Sequence, residues 1–221
     1  MFEQDTLKHH IQRHIVGYLM THEHARFRDV RPPRTDTNLF SYHLKLLLKD
    51  DFVVKTDQGY MLGRRGVQYV DRVQQDNMVV RTQPKIITML LVQDGYGKVL
   101  LQKRTKQPYI NSWTLPYGKI HIDDASVLAA AKREAVEKLR YDPHKLRHVG
   151  DCYIRVAEGE DIETTTLAHI VRFETDAIAA TDNLQWVEPL DLTKLKLAPA
   201  VESIVTRAFF GDTFFFEEFT A

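Results

Sequence analysis

The chain has 221 residues, 43% of them hydrophobic and 27% charged, enough to bury a sizeable core in one large or two small domains. Thirty Lys and Arg balance thirty Asp and Glu, which excludes attraction to nucleic acid through bulk charge and leaves that role to local patches. The single cysteine, Cys152, permits no intrachain disulfide and fits a reducing compartment; the start MFEQDTLKHH lacks the apolar core of a signal peptide, no stretch approaches a membrane span, and the cytoplasm is the expected location.

Taken in order, Thr6 to Met20 places Leu7, Ile11, Ile15 and Leu19 at four-residue intervals, the stripe of an amphipathic helix, with Asp5 or Thr6 as its cap. A short second helix is expected over Ala25 to Val30, ended by Pro32-Pro33, and a third over Thr37 to Lys49. In the third, Phe40, Leu44, Leu47 and Leu48 form the buried stripe, and Asn38, Ser41, Tyr42, Lys45 and Lys49 lie opposite. Phe52-Val53-Val54 and Tyr60-Met61-Leu62, joined by Thr56-Asp57-Gln58-Gly59, read as a hairpin, and a fourth helix is expected near Val67 to Gln75. His10 and His14 stand four apart, a spacing that can hold zinc, but no ligand-rich second segment completes a tetrahedral set.

The phrases NLFSYHLKLL and DDFVVKTDQGYMLGRRG within this pattern resemble the winged helix-turn-helix family over about seventy residues. The resemblance implies that the third helix enters the major groove, with Asn38, Ser41, Tyr42 and Lys45 near base edges and the hairpin on phosphates. Residues 1–75 carry twelve Lys or Arg against nine Asp or Glu, and the remainder is acidic by the same margin of three. Arg26, Arg28, Arg31 and Arg34 are bunched before the third helix, and Arg64 and Arg65 follow the wing. Such a patch suits DNA phosphates; a surface for dimerisation or protein docking is the alternative.

Residues 76–84 read as a linker between a first domain, 1–75, and a second, 85–221. Ile86 to Val92 and Val99 to Gln102 are apolar strand runs separated by Asp94-Gly95-Tyr96-Gly97, with Arg104 at the strand exit. The phrase KVLLQKRTKQPYINSWTLPYGKI, with the later WVEPLDL and LKLAPAVESIV, resembles the Nudix (MutT-like) hydrolase superfamily from about Pro84 to near Arg207. The expected fold class is therefore α/β (α+β): a winged helix-turn-helix followed by a Nudix α/β/α sandwich with a mixed sheet.

The Nudix motif, GX5EX7REUXEEXGU with U a bulky aliphatic residue, uses glutamates on and beside one helix to hold Mg2+ or Mn2+ against a diphosphate. In this chain Gly118 matches the first glycine, Asp124 the first glutamate, Arg133-Glu134 the central pair and Glu137 the next glutamate. The resemblance implies Glu134, Glu137 and Asp124 as metal ligands, Glu134 as catalytic group and Arg133 as its orienting partner. Departures are clear: one residue too many lies between Asp124 and Arg133, Lys138 stands at the last glutamate, Arg140 at the following glycine, and Tyr117 where a second glycine often precedes the motif. Replacing a carboxylate by an ammonium shifts the local charge by two units and lowers metal affinity. Glu134 with Lys138, and Arg133 with Glu137, equally make i to i+4 pairs that stabilise a helix without any metal.

Arg104, Tyr109 and Trp113 flank the expected cleft together with Gly118, where they could hold a phosphate or stack on a base, although Trp113 equally suits the core. Tyr153 to Val156 and Thr165 to Phe173 read as strands around an acidic loop, in which Glu160 or Glu163 is a candidate for a further ligand or base. Six phenylalanines from Phe209 to Phe219 need a cover: the parent domain, the winged helix or a homodimer partner. The expected function is a ligand-responsive DNA-binding regulator that recognises a nucleoside-diphosphate-linked small molecule with weak or lost hydrolysis. The alternatives are an active Mg2+-dependent pyrophosphohydrolase and a protein-binding module.

Overall fold

Helix α1 (His10–Thr21) starts later than the expected Thr6 and buries Ile11, Ile15, Val16 and Leu19; Leu7, the other residue of the expected stripe, is buried but precedes the helix. The computed structural model describes residues 7–73, 83–210 and 213–220, so Asp5 and Thr6, expected as the cap, lie outside the described residues. His9 caps the helix, its Nδ1 accepting from the Ile11 amide at 3.2 Å. Helix α2 (Thr37–Lys49) starts where Asp36 accepts from the Asn38 and Leu39 amides, both at 2.9 Å. Its buried side is Phe40, His43, Leu44 and Leu47. Strands β1 (Val53–Thr56) and β2 (Gly59–Leu62) pair antiparallel as the wing, and α3 (Arg64–Val70) closes the unit over a core with Phe52 and Tyr69.

Two local expectations change. Ala25 to Val30 is not a helix: Ala25 exchanges backbone hydrogen bonds with Tyr60 at 2.9 and 2.8 Å, which draws it into extended pairing beside the wing. Only a turn follows, closed by the Asp29 carboxylate on the Arg26 amide at 3.1 Å. Helix α3 begins at Arg64, directly after Gly63, rather than near Val67; its expected end at Gln75 and most of the expected linker lie outside the described residues. Helix, turn, helix, wing and closing helix together form a winged helix-turn-helix.

The second unit, 83–221, has a mixed sheet between helices. In chain order it contains β3 (Lys85–Gln93), β4 (Val99–Lys103), β5 (Trp113–Thr114), β6 (Tyr117–Lys119), α4 (Val127–Leu139), β7 (Arg147–Glu158), β8 (Asp161–Glu174), β9 (Leu184–Val187), α5 (Val201–Phe210) and β10 (Phe215–Thr220). The main order is β10-β7-β8-β3-β4-β5. Strand β3 runs parallel to β8 along its whole length and is buried from Ile87 onward because both sheet faces are covered. Ile204 and Val205 of α5 cover one face, and Ala131 and Ala135 of α4 cover the other.

On its other edge β3 pairs with β4 only at Gln93 and Val99, and with β6 from Ile87 to Met89. The sheet therefore forks, and residues of both prongs line the site described below.

The acidic loop is shorter than expected. Strands β7 and β8 run to Glu158 and Asp161 with a turn at Gly159-Glu160. Their solvated end carries no apolar alternation: Asp161, Ile162 and Glu163 are all exposed. The aromatic tail is partly covered by its own unit, with Phe215 buried and Phe209 and Phe219 packed on the same cluster. Phe214 and Phe216 stay 55% and 57% exposed. Among the described residues, no helix is long and apolar enough to cross a membrane.

Helix α4 ends on Arg140 with φ 55°, the left-handed conformation in which the motif has glycine. Arg140→Gly should stabilise the protein by about 0.5–1 kcal/mol, read as a raised denaturant midpoint with unchanged slope.

Candidate functional site: a cation-lined cleft beside a buried glutamate

Ser126 starts α4 by accepting from the Ala129 amide at 3.1 Å, and the helix lays Glu134 against β6. Glu134 is only 4% exposed. A Cβ placed on Gly118 would lie 1.7–2.0 Å from the three carboxyl atoms of Glu134, so the glycine is the space in which this carboxylate sits. A buried carboxylate needs counter-charges. Arg133 Nη1 supplies one at 2.7 Å and Lys138 Nζ the other at 3.2 Å.

Asp124 reaches Arg133 despite the additional residue before the helix. A turn, closed by the His121 amide on Asp124 Oδ2 at 2.8 Å and the Asp124 amide on the His121 carbonyl at 3.1 Å, aims the carboxylate back at the helix. Arg133 then donates from Nε and Nη2 to its two oxygens at 2.9 and 2.8 Å, a bidentate pair, and from Nη2 to the Lys119 carbonyl at 3.0 Å. The hydrogen bonds from Arg133 hold the Asp124 carboxyl well below the usual carboxylate range, and the two carboxylates keep Arg133 charged. Glu137 does not share the buried position: its side chain is 57% exposed and lies 3.6 Å from Arg133 Nη1.

On the other side of Lys138 lies a cavity of about 260 Å³, lined by Lys103, Arg104, Lys106, Tyr117 and Lys138 among others. Tyr117 organises it. Its ring has the Lys138 ammonium 5.0 Å from the centroid and the Arg104 guanidinium at 5.3 Å, and its hydroxyl accepts from Arg104 Nη1. Arg104 Nε also donates to the Pro108 carbonyl at 2.7 Å. A second cavity of about 100 Å³ shares Arg104 and Tyr117 and adds Tyr109, Ile87, Met89 and Ile154. Tyr109 enters it from a left-handed backbone, φ 64°, which costs a non-glycine residue about 1 kcal/mol or more and persists only where surroundings fix it. Burial, and then the charge of Glu163, push its hydroxyl above its ordinary pKa.

The structure thus brings Asp124, Arg133, Glu134 and Gly118 together, and Arg104 with Tyr109. It does not bring Trp113 to either cavity: that residue, in β5, pairs with Lys103 of β4 and packs on the core beside Leu197. Glu160 is exposed at the hairpin turn. Lys103 and Lys106 were not singled out from sequence; their signal is the basic run KRTK after an apolar strand. His10 and His14 belong to no three-ligand group among the described residues, and His9 instead stacks on His43 with ring centroids 3.8 Å apart.

A family model described as the NUDIX domain matches residues 83–208, more than half of the chain. The chain belongs to the Nudix family. Its fold is similar to the mutator MutT protein from Bacillus halodurans, with 18% identity and a TM-score of 0.52 over 62% of this chain and 89% of that one. It is also similar to the Nudix domain of Shewanella oneidensis NrtR, solved with ADP ribose, at 18% identity and a TM-score of 0.48 over 64% and 95%. The Ap4A hydrolase of C. elegans gives 20% identity and a TM-score of 0.42 over 57% and 96%. No curated protein matches by sequence.

Nudix enzymes generally use Mg2+ or Mn2+. The carboxylates at this motif do not fit such an ion: Asp124 has both oxygens on Arg133, and Glu134 is held between Arg133 and Lys138. Nor do Asp124, Glu134 and Glu137 form a close three-ligand group among the described residues.

Two predictions follow from this geometry. Gly118→Ala should destabilise by about 1–3 kcal/mol, and by clearly less in a Glu134→Ala background, in denaturant unfolding of the natural protein and the three variants of the cycle. The depressed pKa of Asp124 means that its pairing contributes fully above the unfolded value of about 3.9 and is lost as pH falls through the lower folded value. The gap in Tm between the natural protein and Asp124→Asn should hold from pH 7 to about 4 and then narrow.

Proposed function

We propose that this Nudix protein is a ligand-responsive regulator: its Nudix domain binds a nucleoside-diphosphate-linked small molecule with little or no hydrolysis, and its winged helix binds double-stranded DNA. The observation that carries the ligand reading is the cation set Lys103, Arg104, Lys106 and Lys138 around one cavity. A diphosphate needs positive charge at short range, and fixed ammonium and guanidinium groups supply it as hydrogen-bond donors. Lys138 takes the position of a metal-binding carboxylate and puts a cation there, so the ligand is held without a divalent ion. The neighbouring cavity, with Tyr109, Pro108 and aliphatic side chains, suits the apolar face of a base or sugar. Hydrolysis is disfavoured because Glu134 is enclosed and each of its carboxylate oxygens is already paired with a cation.

For the DNA reading, Asn38, Tyr42 and Lys45 are exposed along one side of α2, with Ser41 half-buried between them. Arg34 and Arg64 are exposed as well. Arg65 has a different role: it donates to the Asp50 carbonyl at 3.2 Å, and its guanidinium lies 4.9 Å from the Phe52 ring centroid, tying α3 to the start of the wing. Side chains that present donors on a helix, with the exposed Arg64 directly after the wing, suit phosphate and base-edge contacts.

Calorimetry with ADP-ribose, ADP and related diphosphates should give the same affinity in EDTA as in Mg2+. Arg104→Ala should weaken binding by about 10- to 100-fold, and Lys138→Glu should lose metal-free binding and gain a Mg2+ requirement. Metal-dependent product release that disappears in Glu134→Gln would overturn the binding-only reading in favour of a hydrolase, which the retained Arg133–Glu134 contact supports. In gel retardation, Lys45→Ala should reduce the salt slope of duplex binding by about one unit. Failure to retard any duplex at low salt, with or without ligand, would sink the DNA assignment.

A further inference from the structure

On the sheet face covered by α4, two strands from Gly118 across Thr88 of β3, two histidines converge on one carboxylate. Asp151 Oδ1 lies 2.7 Å from His148 Nε2 and 2.6 Å from His169 Nδ1, and the three ligand atoms all fall within 4.8 Å of one another. The side chains are 28%, 23% and 16% exposed for His148, Asp151 and His169, so the group is partly withdrawn from water yet reachable.

The backbone is irregular at the place that makes this convergence. In a regular strand, residues three apart point to opposite faces. His148 and Asp151 are three apart on β7, and the pairing with β8 shifts register between His148 and Gly150. His148 is opposite Val171 and Asp151 opposite His169, two residues apart on β8, so three steps on one strand answer two on the other. The bulge thereby turns His148 onto the face of Asp151 and His169, the re-aiming that bulges perform near sites. The Phe214 ring meets His148 edge-on with centroids 5.1 Å apart.

We propose that His148, Asp151 and His169 form a binding site for a first-row divalent transition-metal ion of the zinc class. Two imidazole nitrogens and a carboxylate oxygen are a borderline donor set, suited to zinc, cobalt or nickel rather than to magnesium or calcium. Tetrahedral coordination at about 2.0–2.1 Å sets ligand atoms roughly 3.3 Å apart, so a small outward rotation of Asp151 opens the present contacts to fit an ion. Each imidazole carries its single proton on its other nitrogen when bound, Nδ1 for His148 and Nε2 for His169, and the fourth position is left for water. The ion would clamp β7 to β8 beside the edge where β10 pairs with β7. This site shares no side chain with the diphosphate cleft, so it stands or falls independently of the proposed function.

The test is a Co2+ titration of the untagged full-length protein, followed by visible absorption, with Zn2+ as competitor. The expected result is one ion per chain, with the intense ligand-field bands of a four-coordinate site that Zn2+ abolishes. Affinity should fall by about 100-fold or more in His169→Gln and in Asp151→Asn, and stay unchanged in a His9→Gln/His43→Gln control that breaks up the histidines of the winged helix. Circular dichroism of each variant separates loss of a ligand from loss of the fold. Absence of those bands in the natural protein overturns the proposal without recourse to any variant, as does equal binding by folded His169→Gln, or loss of binding in the His9→Gln/His43→Gln protein.

Discussion

The buried carboxylate of Glu134 is the constraint on which the site depends. A charge with 4% of its residue surface exposed persists only if the protein supplies both the space and the counter-charge. Gly118 supplies the space, since any side chain there would occupy the carboxylate position. Arg133 and Lys138 supply the charge from the same helix. Counting Asp124, Glu134 and Glu137 against Arg133 and Lys138, the motif keeps a net of about one negative charge, where a glutamate in place of Lys138 would leave three. Most of the electrostatic pull on a divalent ion is thereby removed, while the carboxylates that remain keep a structural task. Arg133 joins Asp124, Glu134 and the Lys119 carbonyl, so the turn before α4, the helix and the end of β6 are fixed through one guanidinium.

The second determinant is the fork in the sheet. Because β3 gives its free edge partly to β4 and partly to β6, the end of β4 and the start of β6 diverge around the cavity rather than closing over it. Tyr117, at a position where the family often has glycine, fills part of that opening and has two cations, Arg104 and Lys138, near its ring. The three departures Tyr117, Lys138 and Arg140 do not act alike. The first two are neighbours: Lys138 brings a cation in place of a carboxylate and the Tyr117 ring holds it beside Arg104, whereas Arg140 caps α4 in a conformation that glycine adopts with less strain.

Local patterns were legible in the sequence wherever one element decided them. Helix α2 spans Thr37–Lys49 as its apolar spacing requires, and the charged face of α4 follows from the Nudix resemblance. Misreadings came from distant partners. Ala25 is extended because Tyr60, thirty-five positions away, offers it a backbone partner, and no local pattern carries that information. The hairpin end around Glu160 reads as a loop because strands exposed on both faces lose the alternation that identifies them. The convergence of His148 and Asp151 was hidden for a stricter reason: odd spacing on a strand predicts opposite faces, and only the bulge reverses it. Lys103 and Lys106 acquire meaning only when the fold brings Lys138 to the same cavity.

The aromatic tail shows how composition and topology answer each other. Phe215 lies over Gly150 so closely that a Cβ there would come within 2.5 Å of its ring, which seats β10 parallel to β7 from Phe215↔Gly150 to Thr220↔Arg155. That pairing satisfies the edge β7 would otherwise leave open and passes the exposed edge to a six-residue strand. Glu217 and Glu218 stand on this short strand, and a charged short edge resists pairing with other chains. Alternation sends Phe215 and Phe219 to the α5 side and leaves Phe216 on the other face, so the tail buries part of its apolar surface and presents the rest. The strand that covers the sheet edge is also the one whose neighbouring Phe214 meets His148, so order at the end of the chain and the geometry of the His148–Asp151–His169 group bear on the same stretch of β7.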